Sequence, residues 1–449
     1  MSEQVKQESA VGGSDIRGSP RQAVAVSTFG YFVGFAGVVV YGPIATEFEE
    51  VLGLSGLLLG LLVAAPQLTG SLLRIPFGAW VEDVGAKKPF AILLGLSVVG
   101  MGGLLVILLT AYPDGLTIVH YPLIFFFGSL SGCGIAAFSV GAVDTSYWYK
   151  SDRRGTMLAV FAGLGTTSPG LFTIVSPFAL LAFGLTGTYA AWFAFLLVGT
   201  IVFVIFAVDA PYFQYRKQGL DEDEAKSRAE EAGQELFPSG DAMESIRKAA
   251  TIRRSWMLTS LFFVSFGGYL ALTVWYPSYW ANLHGFDVQT AGIVTAVTFT
   301  LLSPLCRIGG GVISDRRGGE ETALVSFGTI TLSTLVLVLT RDPITAVVAT
   351  VVLGAGMGIA SAAIYQLLPK YVPEAVGGAS GLVGGIGGFG GFAVPPILGL
   401  FVDVRGVSGY ATGFVIYLVL GVAGIGLASM LYRTRSTTVG SRNPIPADD

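Results

Sequence analysis

The chain has 449 residues, of which 52% are hydrophobic and only 12% are charged, and its net charge is −4. Soluble globular proteins carry roughly 25% charged residues, so the composition excludes an ordinary water-soluble domain. The sequence contains no basic patch that would bind nucleic acid and no motif typical of an enzyme. Its two cysteines, Cys133 and Cys306, lie in apolar stretches, so we expect packed thiols and neither a metal site nor a cofactor.

Hydropathy predicts an all-α integral membrane protein with twelve membrane-spanning helices, because a helix needs about 20 apolar residues to cross the hydrocarbon core. In chain order, the predicted spans 1 to 12 are 22–46, 54–80, 88–111, 121–148, 155–183, 188–208, 255–281, 288–313, 322–340, 343–368, 377–402 and 408–432. A polar tail over 1–21 precedes the N-terminal six-helix bundle (22–208). A linker (209–254), the C-terminal bundle (255–432) and a second tail (433–449) follow.

The positions of the 26 Lys and Arg residues predict the orientation. If the N-terminus lies inside, nearly all of them fall in cytoplasmic segments, and only Arg341 and Arg405 lie outside. We therefore expect a multi-pass protein of the cell membrane with both termini and the linker in the cytoplasm. The linker is Glu/Ala/Lys-rich over 220–236, which permits a surface helix, and we expect a solvated tether and not a regulatory domain.

The two halves carry an internal repeat. A shift of 233 positions superposes "RIPFGAWVEDVG" after span 2 on "RIGGGVISDRRG" after span 8. The matched pairs are Arg74 and Arg307, Gly78 and Gly311, Glu82 and Asp315, and Gly85 and Gly318. Two parallel halves of this kind are typical of transporters that work by alternating access.

The repeated pattern Gly-x-x-x-acid-x-x-Gly resembles the cytoplasmic loop motif of the major facilitator superfamily. The resemblance implies that fold, with two pseudo-symmetric six-helix bundles. It also implies that the acid caps a neighbouring helix and that basic residues, here Lys87, Lys88 and Arg316, gate the inward mouth. The first copy departs from the family pattern at Val84 and Ala86.

Arg74 and Arg307 lie inside spans, where an arginine costs roughly 2.5–3.5 kcal/mol at the helix centre. Snorkelling or a structural ion pair is the alternative to a binding role. Side chains tilt toward the helix N-terminus, and spans 2 and 8 begin outside, so both guanidinium groups should lean toward the midplane. Asp144 is the only candidate carboxylate within a span. We therefore expect an anionic substrate, and the forked guanidinium donors suit a planar oxyanion.

Spans 5 and 11 are rich in glycine. Span 11 has nine glycines among the fifteen residues of 377–391, and span 5 contains "AGLGTTSPG". Close helix packing accounts for most of these glycines. A dense run also lets a small substrate reach the backbone, so Gly163, Gly165, Gly384 and Gly388 are candidate binding positions.

The arginine pair and these glycines resemble the nitrate/nitrite porter family within the superfamily. The resemblance implies an anion held between the arginines and sandwiched by an aromatic ring from span 4 and one from span 7. "AAFSVGAVDTSYWY" matches Phe138 to the first ring and "LFFVSFGGYLAL" matches Phe266 to the second, although ordinary packing is the alternative for each. The chain departs from the family at Phe262, at Thr166 and at Pro395–Pro396.

The charge of the site favours exchange as the mechanism. An empty cavity would close over two positive charges, whereas a bound monovalent anion leaves one, and buried charge is costly. We expect a monomeric nitrate/nitrite exchanger surrounded by membrane lipid. Proton-coupled nitrate symport, a porter for formate or oxalate, and a non-transporting membrane sensor remain as alternatives. The choice between nitrate and nitrite stays open.

Overall fold

The computed structural model describes residues 16–238 and 242–439, and all regular structure within these ranges is helical. Residues 1–15 of the predicted N-terminal tail and residues 440–449 of the predicted C-terminal tail lie outside the described residues.

Eleven helices in the described ranges are long and apolar enough to cross a membrane. They are Pro20–Leu52, Gly56–Val84, Lys87–Ala111, Ile118–Trp148, Arg153–Phe206, Arg253–His284, Val288–Arg317, Gly319–Leu339, Pro343–Tyr371, Pro373–Thr412 and Val415–Arg433.

The fifth of these helices contains two spans. Its 54 residues would extend about 80 Å as a straight helix, more than twice the thickness of the hydrocarbon core. Gly184 breaks it with φ 68° and ψ −179°, a backbone conformation that favours glycine. Spans 5 and 6 therefore meet at Gly184, and the twelve predicted spans form six before the linker and six after it.

Span 12 starts later than predicted. Gly406, with φ 61°, ends the long helix of span 11, and two short helices, Gly406–Ser408 and Gly409–Thr412, follow it. The last long helix begins at Val415, not at residue 408.

The linker is folded against the protein, so the expectation of a solvated tether is wrong. Helices Pro211–Lys217, Glu222–Glu231 and Ala242–Thr251 occupy it, and the second coincides with the predicted surface helix. Ala225 and Ala229 are fully buried against Tyr215 and Leu220. The small alanine face lets the helix approach these larger side chains closely, so the segment has its own apolar cluster.

The repeat extends to the backbone. Gly85 ends span 2 with φ 83°, and Gly318 ends span 8 with φ 94°. A side chain at either position would be strained, because these positive φ values favour glycine. Equivalent helices of the two halves thus end in the same way, at a glycine with a positive φ.

The side of the bundle that carries the linker is called the linker face, and the opposite side is the far face. Spans 2 and 11 pack backbone to backbone near the far face, where Gly56 meets Gly399 and Gly60 meets Pro395. The halves are therefore in close contact at the far face, and they separate around a cavity toward the linker face.

Candidate functional site

A cavity of about 1020 Å³ lies between the two halves. Spans 2, 4, 5, 7, 8, 10 and 11 line it, and it extends from Arg74 and Tyr269 to Leu236 and Phe237 of the linker. Both halves contribute to its walls, so a ligand inside it would contact both bundles at once.

Arg74 lies at the point where span 2 is interrupted between helical segments Gly56–Leu72 and Arg74–Val84. Its side chain is only 3% exposed. Nη1 donates a hydrogen bond of 3.1 Å to the backbone oxygen of Gly384 in span 11. Nε and Nη2 have no hydrogen-bond partner among the described residues, so two donors of the guanidinium group remain available.

The two arginines share an aromatic ring. Phe266 lies with its ring centroid 5.4 Å from Cζ of Arg74 and 5.7 Å from Cζ of Arg307. Phe138 lies 5.5 Å from Cζ of Arg74, and Tyr365 lies 5.4 Å from Cζ of Arg307. Cation–π contacts at these distances are worth about 0.5–2 kcal/mol each, which offsets part of the cost of burying the charges.

None of the ion pairs recorded within 16–238 and 242–439 involves either arginine. Asp144 in span 4 is 3% exposed and accepts a hydrogen bond of 2.8 Å from Oγ of Ser27. It does not line the cavity. The positive charges at the site therefore have no protein counter-ion in the described part of the chain, and an anion would supply one.

The helices are irregular where they form the site. Phe266 lies in a π-helical turn over Phe263–Gly267, and Gly384 lies in another over Val383–Gly387. Such turns occur mostly as single-turn bulges inside α-helices and are frequent at functional sites. They redirect side chains and carbonyl groups, and here they aim the Phe266 ring and the Gly384 oxygen at Arg74.

The predicted glycines have different surroundings. Gly163 and Gly384 line the cavity, and their role in binding stays a prediction. Gly388 lies behind it, beside Arg74 and Ser71. Gly165 packs against the ring of Tyr31 and is not among the residues that line the cavity, so this structure does not bring it to the site.

Three tyrosines at the site were not predicted from the sequence. Tyr365 stacks near Arg307, and Tyr269 lines the cavity. Tyr31 packs against Phe138 at 5.4 Å, and its hydroxyl lies 3.5 Å from Oγ1 of Thr166. The available signal was a hydroxyl-bearing ring within an apolar span, but single tyrosines are common in such helices.

Three residues of the repeated loop motif lie in the wall of the cavity. Gly78, Glu82 and Gly311 line it. The carboxylate of Asp315 accepts a hydrogen bond from the Gln366 amide, and Arg316 is exposed.

The acid that caps span 3 was not predicted. Asp209, at the start of the linker, accepts a hydrogen bond of 2.8 Å from the backbone N–H of Lys87 and pairs with Lys217 at 2.5 Å. Gly85 allows this approach, because a Cβ there would meet the Asp209 carboxylate. The cap on the neighbouring helix thus comes from the linker.

Comparisons with known proteins agree with this architecture. The sequence profile described as the Major Facilitator Superfamily matches residues 27–395 and again 311–447. The chain is 28% identical over 383 residues to the probable nitrate/nitrite transporter NarK2 of Mycobacterium tuberculosis, covering 85% of this chain and 89% of that one. It is 26% identical to the probable nitrate/nitrite antiporter NarK1 of Thermus thermophilus, covering 89% and 88%.

Solved structures share the fold at low sequence identity. A partially occluded inward open conformation of the xylose transporter XylE from E. coli superposes with a TM-score of 0.71 at 15% identity, covering 90% of this chain and 96% of that one. The expectation that the chain is not an enzyme is confirmed, since these relatives and neighbours are membrane transporters. This multi-pass membrane protein belongs to the Major Facilitator Superfamily.

Proposed function

We propose that the chain is a secondary transporter that moves nitrate or nitrite between its two arginines by alternating access, and that it works by exchange. The observation that carries the proposal is the pair Arg74 and Arg307, which come from equivalent positions of the two halves, contact one ring and have no carboxylate partner in the described residues. The curated relatives named as nitrate/nitrite transporters support the choice of anion.

The same residues explain how a planar oxyanion would be held. Guanidinium groups donate paired, coplanar hydrogen bonds that match two oxygens of one anion. The free Nε and Nη2 of Arg74 have the geometry of such a pair. Phe138 and Phe266 exclude water beside the guanidinium group, and low dielectric strengthens each charge-assisted bond.

In the proposed orientation, the protein lies in the cytoplasmic membrane with the linker face inside the cell. The structure would then be the inward-facing state, with the far face closed toward the outside. An anion that binds from the linker face would neutralise one of the two charges before the halves close around it. An empty site retains both charges, so loaded closure is favoured and exchange follows.

Proton-coupled nitrate symport is the second candidate, and Asp144 is the observation that favours it. This carboxyl group is buried on the span that carries Phe138 and has Ser27 as its hydrogen-bond partner. A buried carboxyl group without a cation favours its protonated form. A proton bound there could accompany each anion.

A panel of small anions tests the site. In a thermal-unfolding assay of the purified protein, we expect nitrate and nitrite to raise the midpoint by several degrees, with formate, oxalate and chloride much less effective. The Arg74→Gln variant should lose the response because it lacks the charged fork. Equal stabilisation by formate or oxalate would assign the site to another small anion. A wild-type protein insensitive to every anion would contradict an anion site and favour the sensor interpretation.

Proteoliposomes separate exchange from symport. We expect nitrate uptake to require nitrite or nitrate inside the vesicles and to proceed without a pH gradient. Uptake into anion-free vesicles that depends on an inward proton gradient, and that Asp144→Asn abolishes, would instead establish proton coupling.

A further inference from the structure

Three polar side chains form a line along one face of span 2. Gln67, Ser71 and Arg74 are separated by four and then three residues, a spacing that places them on the same side of a helix. We name Gln67, Ser71 and Arg74 the polar ladder.

Each residue of the polar ladder faces a glycine of span 11. A Cβ on Gly391 would lie 3.2 Å from Cγ of Gln67, and a Cβ on Gly388 would lie 3.4 Å from Oγ of Ser71. Arg74 donates to the oxygen of Gly384. Glycine at all three facing positions removes the side chains that would otherwise fill the space beside the ladder.

The ladder carries unpaired polar atoms deep inside the protein. Gln67 and Ser71 are fully buried. Neither Oε1 nor Nε2 of Gln67 has a hydrogen-bond partner, and Oγ of Ser71 has none, among the described residues. Among the side chains that the structure describes, Gln67 and Arg74 are the two with two such atoms each. An unpaired buried polar group is costly to keep, so a site of this kind favours a ligand that can bond to it.

The ladder points from the arginine pair toward the far face. Span 2 runs from the far face to the linker face, and seven residues of helix place Gln67 about 10 Å beyond Arg74. Arg74 lines the cavity, whereas Gln67 and Ser71 do not. Gln67 is fully buried and lies against Gly391 of span 11, so it becomes reachable when spans 2 and 11 separate at the far face.

We propose that Gln67 and Ser71 form a second, neutral binding station for the transported oxyanion on the far-face side of Arg74. This proposal rests on the proposed function. The Gln67 amide N–H and the Ser71 hydroxyl donate hydrogen bonds to the anion as it travels between the far face and the arginines. Neutral donors bind an anion more weakly than a guanidinium group does. The station therefore passes the anion on without trapping it.

A purely structural role for these side chains predicts a different response to mutation. A side chain that holds two helices together by hydrogen bonds lowers protein stability when it is removed. The polar side-chain atoms of Gln67 and Ser71 have no partner to lose among the described residues. Gln67→Met keeps the size of the side chain, and we expect it to leave the unfolding midpoint unchanged or higher while it slows exchange.

The first experiment measures nitrate/nitrite exchange in proteoliposomes for Gln67→Met, Gln67→Glu and Ser71→Ala. We expect Vmax/KM to fall about tenfold or more for Gln67→Met, as for loss of a hydrogen bond to a charged group, and further for Gln67→Glu, whose negative charge repels the anion. Ser129→Ala is the matched control, since it also removes a buried, unpaired hydroxyl but on span 4. Its exchange should stay within twofold of wild type.

The second experiment locks the far face closed. Glu49 and Asn282 come from different halves and approach to 3.4 Å at the far face. Cysteines at both positions, with Cys133 and Cys306 replaced by alanine, can be bridged by a short reversible bifunctional thiol reagent. In the bridged protein, we expect nitrate to stabilise Gln67→Met as strongly as it stabilises the protein with Gln67 intact. The closed far face keeps the anion from reaching Gln67, so only the arginine site contributes. Arg74→Gln should abolish that response.

Unchanged exchange in Gln67→Met and Gln67→Glu would overturn the second station. Loss of the nitrate response in the bridged Gln67→Met protein, as in the bridged Arg74→Gln protein, would also overturn it. Gln67 would then only support Arg74. A fall in stability that matches the fall in exchange would assign Gln67 to packing. If the unsubstituted protein neither binds nor exchanges nitrate or nitrite, the proposed function itself fails.

Discussion

At the scale of single residues, the site depends on the geometry of its cationic groups as well as on their charge. Arg307 lies over Phe266 and Tyr365, where a flat guanidinium group can stack on a ring while its edge donates hydrogen bonds. A lysine at the same position would keep the charge, but its ammonium group is a compact point charge without the fork.

We therefore expect Arg307→Lys to lose at least about tenfold in exchange, the cost of one charge-assisted hydrogen bond. The loss should occur with little change in the unfolding midpoint. Initial rates of exchange in proteoliposomes provide the measurement. Arg405→Lys, at an exposed arginine near the far face, is the matched control and should exchange normally. Near-normal exchange by Arg307→Lys would contradict bidentate binding.

The sequence indicated some of these residues and not others, for physical reasons. Two arginines at equivalent positions of a repeat stand out in an apolar chain, and Phe138 and Phe266 followed from the family resemblance. Tyr365 and Tyr31 did not, because which ring on spans 1 and 10 turns inward depends on how the spans pack. Gln67, by contrast, could have been noticed, since an amide two turns from an intramembrane arginine is unusual in itself.

At the scale of helices, one carboxylate joins the two halves at the far face. Asp403, near the end of span 11, accepts hydrogen bonds of 2.6 Å from the backbone N–H of Gly56 and 2.9 Å from that of Leu57. These N–H groups start span 2 and have no partner within their helix. A negative charge at a helix N-terminus is stabilising by about 0.3–1 kcal/mol, and here that energy contributes to closure of the far face.

Asp403→Asn should shift the protein toward a far-face-open state, because the amide keeps at most one of the two acceptors and no charge. The expected shift is about tenfold in population, the equivalent of roughly 1.4 kcal/mol. Spin labels on Asp114→Cys and Arg341→Cys, in far-face loops of the two halves, would report it as a longer distance in pulsed electron paramagnetic resonance.

Asp287→Asn provides the control for that measurement. Asp287 caps span 8 through the N–H of Thr290 at 2.9 Å, so its cap lies within one half and does not cross between them. The spin-label distance distribution of the Asp287→Asn variant should match that of the wild type. A shift of equal size in both variants would mean that loss of a helix cap, and not loss of the contact between the halves, opens the far face.

The linker shows which elements hydropathy fails to describe. Its composition indicated a solvated tether, yet Ser245 accepts a hydrogen bond of 3.0 Å through Oγ from the backbone N–H of Gly378 in span 11, and Leu236 and Phe237 line the cavity mouth. A charged, alanine-rich segment gains this structure from the surface on which it lies. The surface exists only after the twelve spans have assembled, so local composition could not predict it.

At the scale of the whole molecule, the fold was predictable because two local features of the sequence determine it: the apolar segments and the internal repeat. Twelve apolar segments and a repeat at one offset fix the number and pairing of the helices, and the left-handed glycines at Gly85 and Gly318 confirm the pairing. Which face is closed could not be predicted. In the proposed alternating-access cycle, the same sequence would adopt both states at similar free energy, and only packing details such as Gly56 against Gly399 would distinguish them.

Arg74 and Arg307 have no carboxylate counter-ion among the described residues, and this has an electrical consequence. If no carboxylate travels with the arginines, the loaded site carries the same charge in both directions, and one monovalent anion leaves for each one that enters. A membrane potential contributes about 2.3 kcal/mol per charge per 100 mV, but one-for-one exchange moves no net charge.

We expect initial exchange rates in proteoliposomes to stay constant between −100 and +100 mV set by a potassium gradient with valinomycin. A rate that follows the voltage would instead mean that a proton or a second ion crosses with the anion. An electrically silent carrier would let a cell trade one oxyanion for another at any membrane voltage, with the direction set by the two concentration gradients alone.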